Sequence, residues 1–339
     1  MNKPLAVKYR PTTFDDLCAQ DYVKTILTNQ VERNEFQHSY LFTGSAGCGK
    51  TTSARIFANM INKGRGNPIE IDAASHSGVD EMRALVEDAK RKPIDCDYKV
   101  YIIDEVHSIS SSAWQALLKL LEESPKYSIF IMCTTDPQKI PQTIISRVQQ
   151  FNFRKLPVKV VADRLKYILD QEGITDYEES ALSYLAKLGN GGMRASITLM
   201  DKCLALAKRI TLDDVMAVCG SLSYDVFMHE LKDILDFSMD AVRRISDIHN
   251  DGKDLKQFIK DFTKFTIDCV KFTQFKSFDY ISLPETINMQ NFLEELCECR
   301  YDYSGVVDLL IDIYNNIKWE DDPQLIIESY LMSYIGGRE

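Results

Sequence analysis

Across its 339 residues the chain has no apolar run near the ~20 residues needed to cross a bilayer. Its N-terminus, Met1-Asn-Lys-Pro4, is no signal peptide. No C-x-x-C occurs among its cysteines, which stand scattered at Cys18, Cys48, Cys96, Cys133, Cys203, Cys219, Cys269, Cys297 and Cys299. That excludes the common zinc spacings, and Cys297-x-Cys299 reads as a coincidence on a helix surface. Thiols used this way predict a reducing, cytoplasmic setting. There is no internal repeat and no low-complexity tract, which excludes solenoids and disordered tails. With 45% hydrophobic and 27% charged residues, the composition is that of a soluble globular chain long enough for two or three domains.

An excess of positive charge is missing too: the net charge is −10, an unfavourable balance for a nucleic-acid binder. Its distribution changes the argument. Residues 1–157 hold 20 Lys and Arg against 18 Asp and Glu, residues 158–220 hold 8 against 9, and residues 221–339 hold 12 against 23. The acid is concentrated at the C-terminal end, which should face proteins or water. The first segment is free to carry local basic patches.

What is present begins with Gly44-Ser-Ala-Gly-Cys-Gly-Lys50-Thr51, a match to G-x-x-x-x-G-K-[ST]. About 0.01 chance matches are expected in a chain of this length. Leu41-Phe42-Thr43 before it reads as the end of a buried strand, and the stretch from Thr52 to Met60 reads as a helix. The motif requires that strand–loop–helix context. Gly44, Gly47 and Gly49, with Ala46 and Cys48 between them, let backbone N–H groups crowd around phosphates at a helix N-terminus. Lys50 adds a point charge, the Thr51 hydroxyl is suited to Mg²⁺, and Thr52 continues into the helix.

A second motif, Lys99-Val-Tyr-Ile-Ile-Asp104-Glu105, is an apolar run ending in two carboxylates. A strand buried on both faces reads this way, and ligands of open α/β sheets bind at its C-terminal end. Asp104 suits a Mg²⁺ ligand and Glu105 a base that polarises the attacking water.

Strands are expected at Ser39–Thr43, Ile69–Asp72, Lys99–Asp104, Ile129–Thr134 and Gln150–Phe153, with helices between them, including Asp80–Lys92 and Ser112–Glu123. The alternation predicts a doubly wound parallel sheet over 1–157, with a boundary at Leu156-Pro157. Residues 158–220 read as a small all-α unit with helices at Val160–Glu172, Glu178–Leu188, Arg194–Lys208 and Leu212–Val218. From Ser221 to Glu339 the pattern is again helical, with amphipathic stretches at Ser238–Asn250 and Leu255–Phe275 and breaks at Pro284 and Pro323.

Several segments in sequence carry a family resemblance. They are Leu5-Ala-Val-Lys-Tyr-Arg-Pro-Thr-Thr-Phe14, the phosphate loop, Glu70-Ile-Asp-Ala-Ala-Ser75, and Ile103-Asp-Glu-Val-His107. Leu117-Leu-Lys-Leu-Leu-Glu-Glu123, Thr134-Thr-Asp-Pro-Gln-Lys139, Ile145-Ser-Arg147 and Gly192-Met-Arg-Ala195 follow. This order strongly resembles the gamma/tau ATPase subunits of bacterial DNA polymerase III clamp loaders, of the AAA+ class. The match is dense over 5–220; residues 221–339 fit only in length and helicity. The resemblance implies an α/β AAA+ nucleotide domain (1–157), an all-α lid (158–220) and an all-α collar for oligomerisation (221–339).

It also implies roles. ATP and Mg²⁺ are the expected cofactors. Ala6, Tyr9, Arg10 and Pro11 match the segment beside adenine and ribose. Thr135, beside Thr134, matches the polar sensor at the end of the fourth strand, and Arg194 the lid arginine that contacts the γ-phosphate. Arg147 matches the arginine finger that reaches a neighbouring subunit's ATP. His76, Arg83 and Lys119, with Ser110 and Ser111 at a helix start, match positions that track one DNA strand, although a solvated polar face has the same composition. The implied partners are a sliding clamp, primer-template DNA and other loader subunits in a pentamer, with no membrane. The implied activity is ATP hydrolysis coupled to clamp loading in replication. A helicase loader or branch-migration motor, and a non-hydrolysing scaffold subunit of the loader, are the alternatives. Degenerate motifs would mark the scaffold, and here both motifs are intact.

The chain departs from the family at several points. The four-cysteine zinc module is absent where Ile61-Asn-Lys runs on to Ile69. The usual Ser-Arg-Cys reads Ser146-Arg147-Val148, the usual Gly-Gln reads Ala19-Gln20, and Cys48 stands where valine is common. These changes suggest a divergent lineage such as a bacterial virus, acting then in the host cytoplasm. The tail by which tau forms bind polymerase and helicase is expected to be missing after Glu339.

Overall fold

All five expected strands form in a computed structural model, which describes residues 3–76, 78–123, 125–219, 224–299 and 301–337. They are β1 (Ser39–Thr43), β2 (Ile69–Asp72), β3 (Lys99–Asp104), β4 (Ser128–Thr134) and β5 (Gln149–Asn152). All pair in parallel, in the order β2-β3-β4-β1-β5. Even inside this apolar sheet the period of two sorts the side chains. Tyr40, Phe42, Val100, Ile102, Ile129, Ile131 and Cys133 face one core, whereas Leu41, Tyr101, Ile103, Phe130 and Met132 face the other.

The first core is closed by α2 (Asp21–Arg33) and α3 (Lys50–Ile61), which follow a short α1 (Leu5–Lys8). The second is closed by α4 (Val79–Ala89), α5 (Ser111–Glu122) and α6 (Gln142–Ile145). From β1 the chain crosses to the far edge strand β2, but from β4 it passes β1 to reach β5. Adjacent strands β1 and β4 therefore send their loops in opposite directions, and the crevice between them is where such sheets bind ligands.

Helices α7 (Val158–Gln171), α8 (Glu179–Leu188), α9 (Met193–Leu206) and α10 (Leu212–Cys219) follow. The chain divides into two compact units, Met1–Gly173 with Ala186–Asp201 and Ile174–Leu185 with Lys202–Glu339. The boundary expected between 220 and 221 lies outside the described residues. The second unit has its own core from α11 (Tyr224–Leu235), α12 (Asp240–Asn250), α13 (Leu255–Phe275), α14 (Ile287–Glu298), α15 (Tyr303–Asn316) and α16 (Pro323–Gly336). Along α13, Phe258, Phe262 and Phe265 are buried at helical spacing, each worth about 1.5–3 kcal/mol. Side-chain caps start α13 (Asp254), α14 (Thr286), α15 (Asp302) and α16 (Asp322). Pro323, expected as a break, occupies the first turn of α16, where its missing N–H costs nothing.

One buried charge cluster stands in this second core. Glu230 is 1% exposed and takes Arg244 Nε at 3.1 Å, while Arg244 also pairs with Asp233. Burial pushes the Glu230 carboxyl up to about 8, against the opposing pull of Arg244. Among the described residues no helix is long and apolar enough to cross a membrane.

Candidate nucleotide site

Residues 44–49 leave the end of β1 with three glycines at positive φ: Gly44 at 145°, Gly47 at 74° and Gly49 at 109°. Gly44 has no room for a side chain, because a Cβ there would lie 2.4 Å from the Phe153 carbonyl oxygen. Gly49 caps α3 in the left-handed conformation. The open N–H groups of the first turn of α3 then follow the loop directly. Lys50 is only 5% exposed, and its Nζ donates to Gly44 O at 2.8 Å and Ser45 O at 3.0 Å. Both acceptors are neutral. A buried cation without a carboxylate partner is costly unless an anion shares the site, which is what a phosphate supplies.

The ends of β3 and β4 complete the arrangement. Thr51 Oγ1 donates to Asp104 Oδ2 at 2.7 Å, and Glu105 N donates to Asp104 Oδ1 at 3.0 Å. A hydroxyl against a carboxylate is a donor set that fits Mg²⁺. Glu105 adopts φ 46°, a conformation that costs a non-glycine residue ~1 kcal/mol or more. It turns the chain from β3 into a 3-10 turn at Val106–Ser108 and brings the carboxylate toward β4. There Glu105 Oε2 accepts from Thr135 Oγ1 at 2.9 Å and Thr135 N at 3.3 Å.

Tyr9, Arg10, Lys50, Asp104, Glu105 and Arg194 line one cleft of about 230 Å³, together with Ala6, Pro11, Ala46, Gly47, Cys48, Gly49, Thr51 and Thr52. Burial, and then the nearby guanidinium groups of Arg55 and Arg194, hold Arg10 below its ordinary pKa. Several cations therefore converge on a space that suits an anion. Tyr9 is fixed from behind: its hydroxyl donates to Glu172 Oε1 at 2.5 Å, and Arg164 donates to its carbonyl at 3.2 Å. Met193 N, at the start of α9, donates to Gly47 O at 3.0 Å, so the segment carrying Arg194 is tied to the phosphate loop.

Gly44 lies outside the cleft lining but sets the loop's exit from β1. Thr135 reaches the cleft only through Glu105. Arg147 is not in the cleft at all. It sits after α6, donating to Thr143 O at 2.7 Å and pairing with Glu122 at 2.8 Å. His76 lies just before α4 and Arg83 within it; Ser110 caps α5, Ser111 starts it and Lys119 lies along it. These two helices pack together on the second sheet face. His76, Arg83, Ser110, Ser111 and Lys119 are all exposed, and Ser110 caps α5 by accepting from Ala113 N.

Sequence reasoning missed Leu17, Cys18, Leu156, Arg164 and Ile197, which also line the cleft. No local pattern marks them, since they reach it from separate elements. Gln20 was noted only as part of a departure, yet its amide bridges Cys48 O at 3.3 Å and Arg154 O at 2.7 Å, while Arg154 N donates back. Ala19 and Gln20 both hold positive φ, which explains why glycine is usual at the first.

A glycine-lined anion cradle at the switch point of a five-stranded parallel sheet, with paired carboxylates beside it, defines a nucleotide-binding protein of the AAA+ fold. The RuvB Holliday junction branch migration motor of Thermotoga maritima superposes with a TM-score of 0.52 over 67% of this chain and 79% of that one. At 22% identity the likeness shows the fold alone.

Sequence comparison is more specific. Residues 66–157 match the family of the DNA polymerase III delta subunit, and residues 160–209 match the ATPase lid domain of DNA polymerase III clamp loader subunits. The DNA polymerase III subunit tau of Bacillus subtilis is 33% identical over 94% of this chain and 61% of its own length. The tau subunit of Escherichia coli is 37% identical over 65% of this chain and 38% of its length. These matches support a clamp loader subunit of the gamma/tau type. The chain spans about three fifths or less of the length of the relatives named here.

Proposed function

We propose that this chain is the ATP-driven motor subunit of a sliding-clamp loader, opening the clamp and placing it on primer-template DNA. The observation that carries the proposal is the Thr51–Asp104 contact with Glu105 beside it, which gathers the phosphate loop and both carboxylates in one cleft. The buried, unneutralised Lys50 and the nearby guanidinium groups support a polyphosphate ligand.

In this reading residues 1–157 form the nucleotide domain, 158–220 the lid and 221–339 the collar. The amides of 44–49 and Lys50 hold the phosphates, with Arg194 at the γ-phosphate. Ala6, Tyr9, Arg10 and Pro11 hold the base and ribose. Thr51 and Asp104 hold Mg²⁺, which when bound neutralises charge developing on the phosphate oxygens. Glu105 takes the proton of the attacking water, and Thr135 orients Glu105. Arg147 lies outside its own cleft and, on leaving its pair with Glu122, serves a neighbour's site, so assembly and hydrolysis are linked. His76, Arg83, Ser110, Ser111 and Lys119 line the DNA path. The partners are the clamp, DNA and further subunits of a pentamer in the cytoplasm.

Equilibrium binding and phosphate release test the assignment. Lys50→Ala should lose ATP binding, because the loop loses its fixed cation. Glu105→Gln should bind ATP yet stall before hydrolysis. Wild-type turnover by Glu105→Gln would remove the base from the scheme. A stable ring hexamer with nucleotide, rather than a pentamer with clamp and primed DNA, would favour a branch-migration motor.

A further inference from the structure

Tyr9 is held at both ends by α7. Arg164 donates to its carbonyl oxygen at 3.2 Å. About two turns on, where α7 ends, Glu172 Oε1 accepts the Tyr9 hydroxyl at 2.5 Å and Lys8 Nζ at 2.6 Å. From α9, Asp201 Oδ2 accepts the Leu5 N–H at 3.2 Å.

These ties matter because α1 cannot place itself. Its four residues are too few for a helix to persist alone, and of them only Leu5 is buried. The cleft residues Ala6, Tyr9, Arg10 and Pro11 are therefore located by polar contacts to α7 and α9.

The two bonds to Glu172 differ in weight. The Lys8 side chain is half exposed, and an ion pair so exposed contributes little. The Tyr9 hydroxyl is half-buried and meets an ionised carboxylate, the stronger kind of hydrogen bond. Lys8 first, and then Tyr9, hold the Glu172 carboxyl below the ordinary carboxylate range, so the acceptor is charged at neutral pH.

We infer that Glu172 is a positioning residue for nucleotide binding: through the Tyr9 hydroxyl it fixes the wall that receives the base and ribose before the nucleotide arrives. The inference rests on reading Ala6, Tyr9, Arg10 and Pro11 as that wall. Without the tether the nucleotide must order the wall as it binds, and affinity falls by that cost. Lys50, Asp104 and Glu105 are held by other contacts, so the chemical step at saturating ATP is unchanged.

Equilibrium ATP affinity and the single-turnover rate at saturating ATP, both on the full chain, test it. Glu172→Ala should weaken ATP binding by about fivefold, the scale of one hydrogen bond, with the saturated rate changed less than about twofold. Tyr9→Phe, which keeps the ring and removes only the hydroxyl, should weaken binding alike, and the double variant should be no worse than either. Glu172→Gln, whose amide oxygen can still accept the hydroxyl, should keep affinity within about twofold of wild type, as should Lys8→Ala. A residue that merely supports the fold would lower melting temperature, saturated rate and affinity together, and its loss would add to that of Tyr9→Phe. Additive losses, or a Lys8→Ala loss as large as that of Glu172→Ala, overturn the inference.

Tyr9→Phe removes one oxygen and keeps the packing, so its result stands however Glu172→Ala folds: wild-type affinity in Tyr9→Phe overturns the inference by itself. Tyr9→Ala tests the reading beneath it. If Tyr9→Ala binds ATP as the wild type does, the wall assignment fails first and this inference with it. If Tyr9→Ala binds weakly while Tyr9→Phe and Glu172→Ala bind normally, only this inference fails.

Discussion

Gly44→Ala isolates what the phosphate loop demands of its first residue, and Gly173→Ala is its natural control. Both glycines hold positive φ, 145° and 71°, so alanine is strained at either by ~1 kcal/mol. At Gly173 an added Cβ meets nothing within 4 Å, so that strain is the whole cost. At Gly44 the same atom would lie 2.4 Å from Phe153 O and 3.0 Å from Phe153 Cβ. The clash is with backbone, and Phe153 cannot retreat without losing its 2.7 Å N–H bond to Thr43 O. Overpacking of this kind adds about 1–3 kcal/mol. The expected totals are therefore ~1 kcal/mol for Gly173→Ala and about 2–4 kcal/mol for Gly44→Ala. In a unit of this size each kcal/mol lowers the melting temperature by roughly 2–4 °C. Thermal melts of the full chain read the first difference. Titration with a fluorescent ATP analogue reads the second, since only Gly44→Ala should weaken binding, by tenfold or more. Equal melting shifts for the two variants, or unchanged nucleotide affinity in Gly44→Ala, would refute the steric argument.

Arg147→Ala should bind ATP normally, yet hydrolysis stimulated by clamp and primed DNA should fall by a factor on the order of 10³. Mixing it with Lys50→Ala subunits should restore part of the turnover, and full stimulated activity in Arg147→Ala alone would end the shared-site scheme. Arg83→Ala and Lys119→Ala should each weaken DNA binding alike on unrelated sequences and lower the salt slope by about one; a marked sequence preference would contradict a phosphate-only path. Glu230 has its folded pKa raised from 4.5 to about 8, so the folded state holds the proton that the unfolded state releases between those values. Its contribution is present at low pH and lost as pH rises through that window. Chemical denaturation of wild type and Glu230→Gln at pH 6 and pH 8 should show the variant gaining relative stability at the higher pH, and a constant difference would contradict the assignment.

Strands were legible because a parallel sheet covered on both faces leaves runs such as Lys99–Asp104 almost wholly apolar. Their ends were less so. Ser128 reads as polar, but it starts β4 one residue early because its buried hydroxyl donates to Ala89 O at 2.9 Å. Phe153 falls just outside β5, although its N–H still bonds Thr43. The expected helix Asp80–Lys92 runs over Val79–Ala89, because Ala89 is the last residue its core face can bury. In the site, contiguous motifs announced Lys50, Thr51, Asp104 and Glu105. The cleft walls supplied by Leu17, Arg164 and Ile197 depend on how distant helices pack, and no spacing along the chain encodes that.

Strand order also governs when the site can exist during synthesis. β1 finds its two neighbours in β4 and β5, not in the strands made next. Ser128 comes 85 residues after Thr43 (128 − 43), an interval of roughly 4–17 s at translation rates of about 5–20 residues per second. Throughout that time β1 leaves the ribosome with both edges unpaired, carrying Tyr40, Leu41 and Phe42. The loop that follows it cannot close until Phe153 has emerged to pack on Gly44. A nascent chain halted before that point carries the whole phosphate-loop sequence without a phosphate site, and its open strand is a substrate for chaperones rather than for nucleotide.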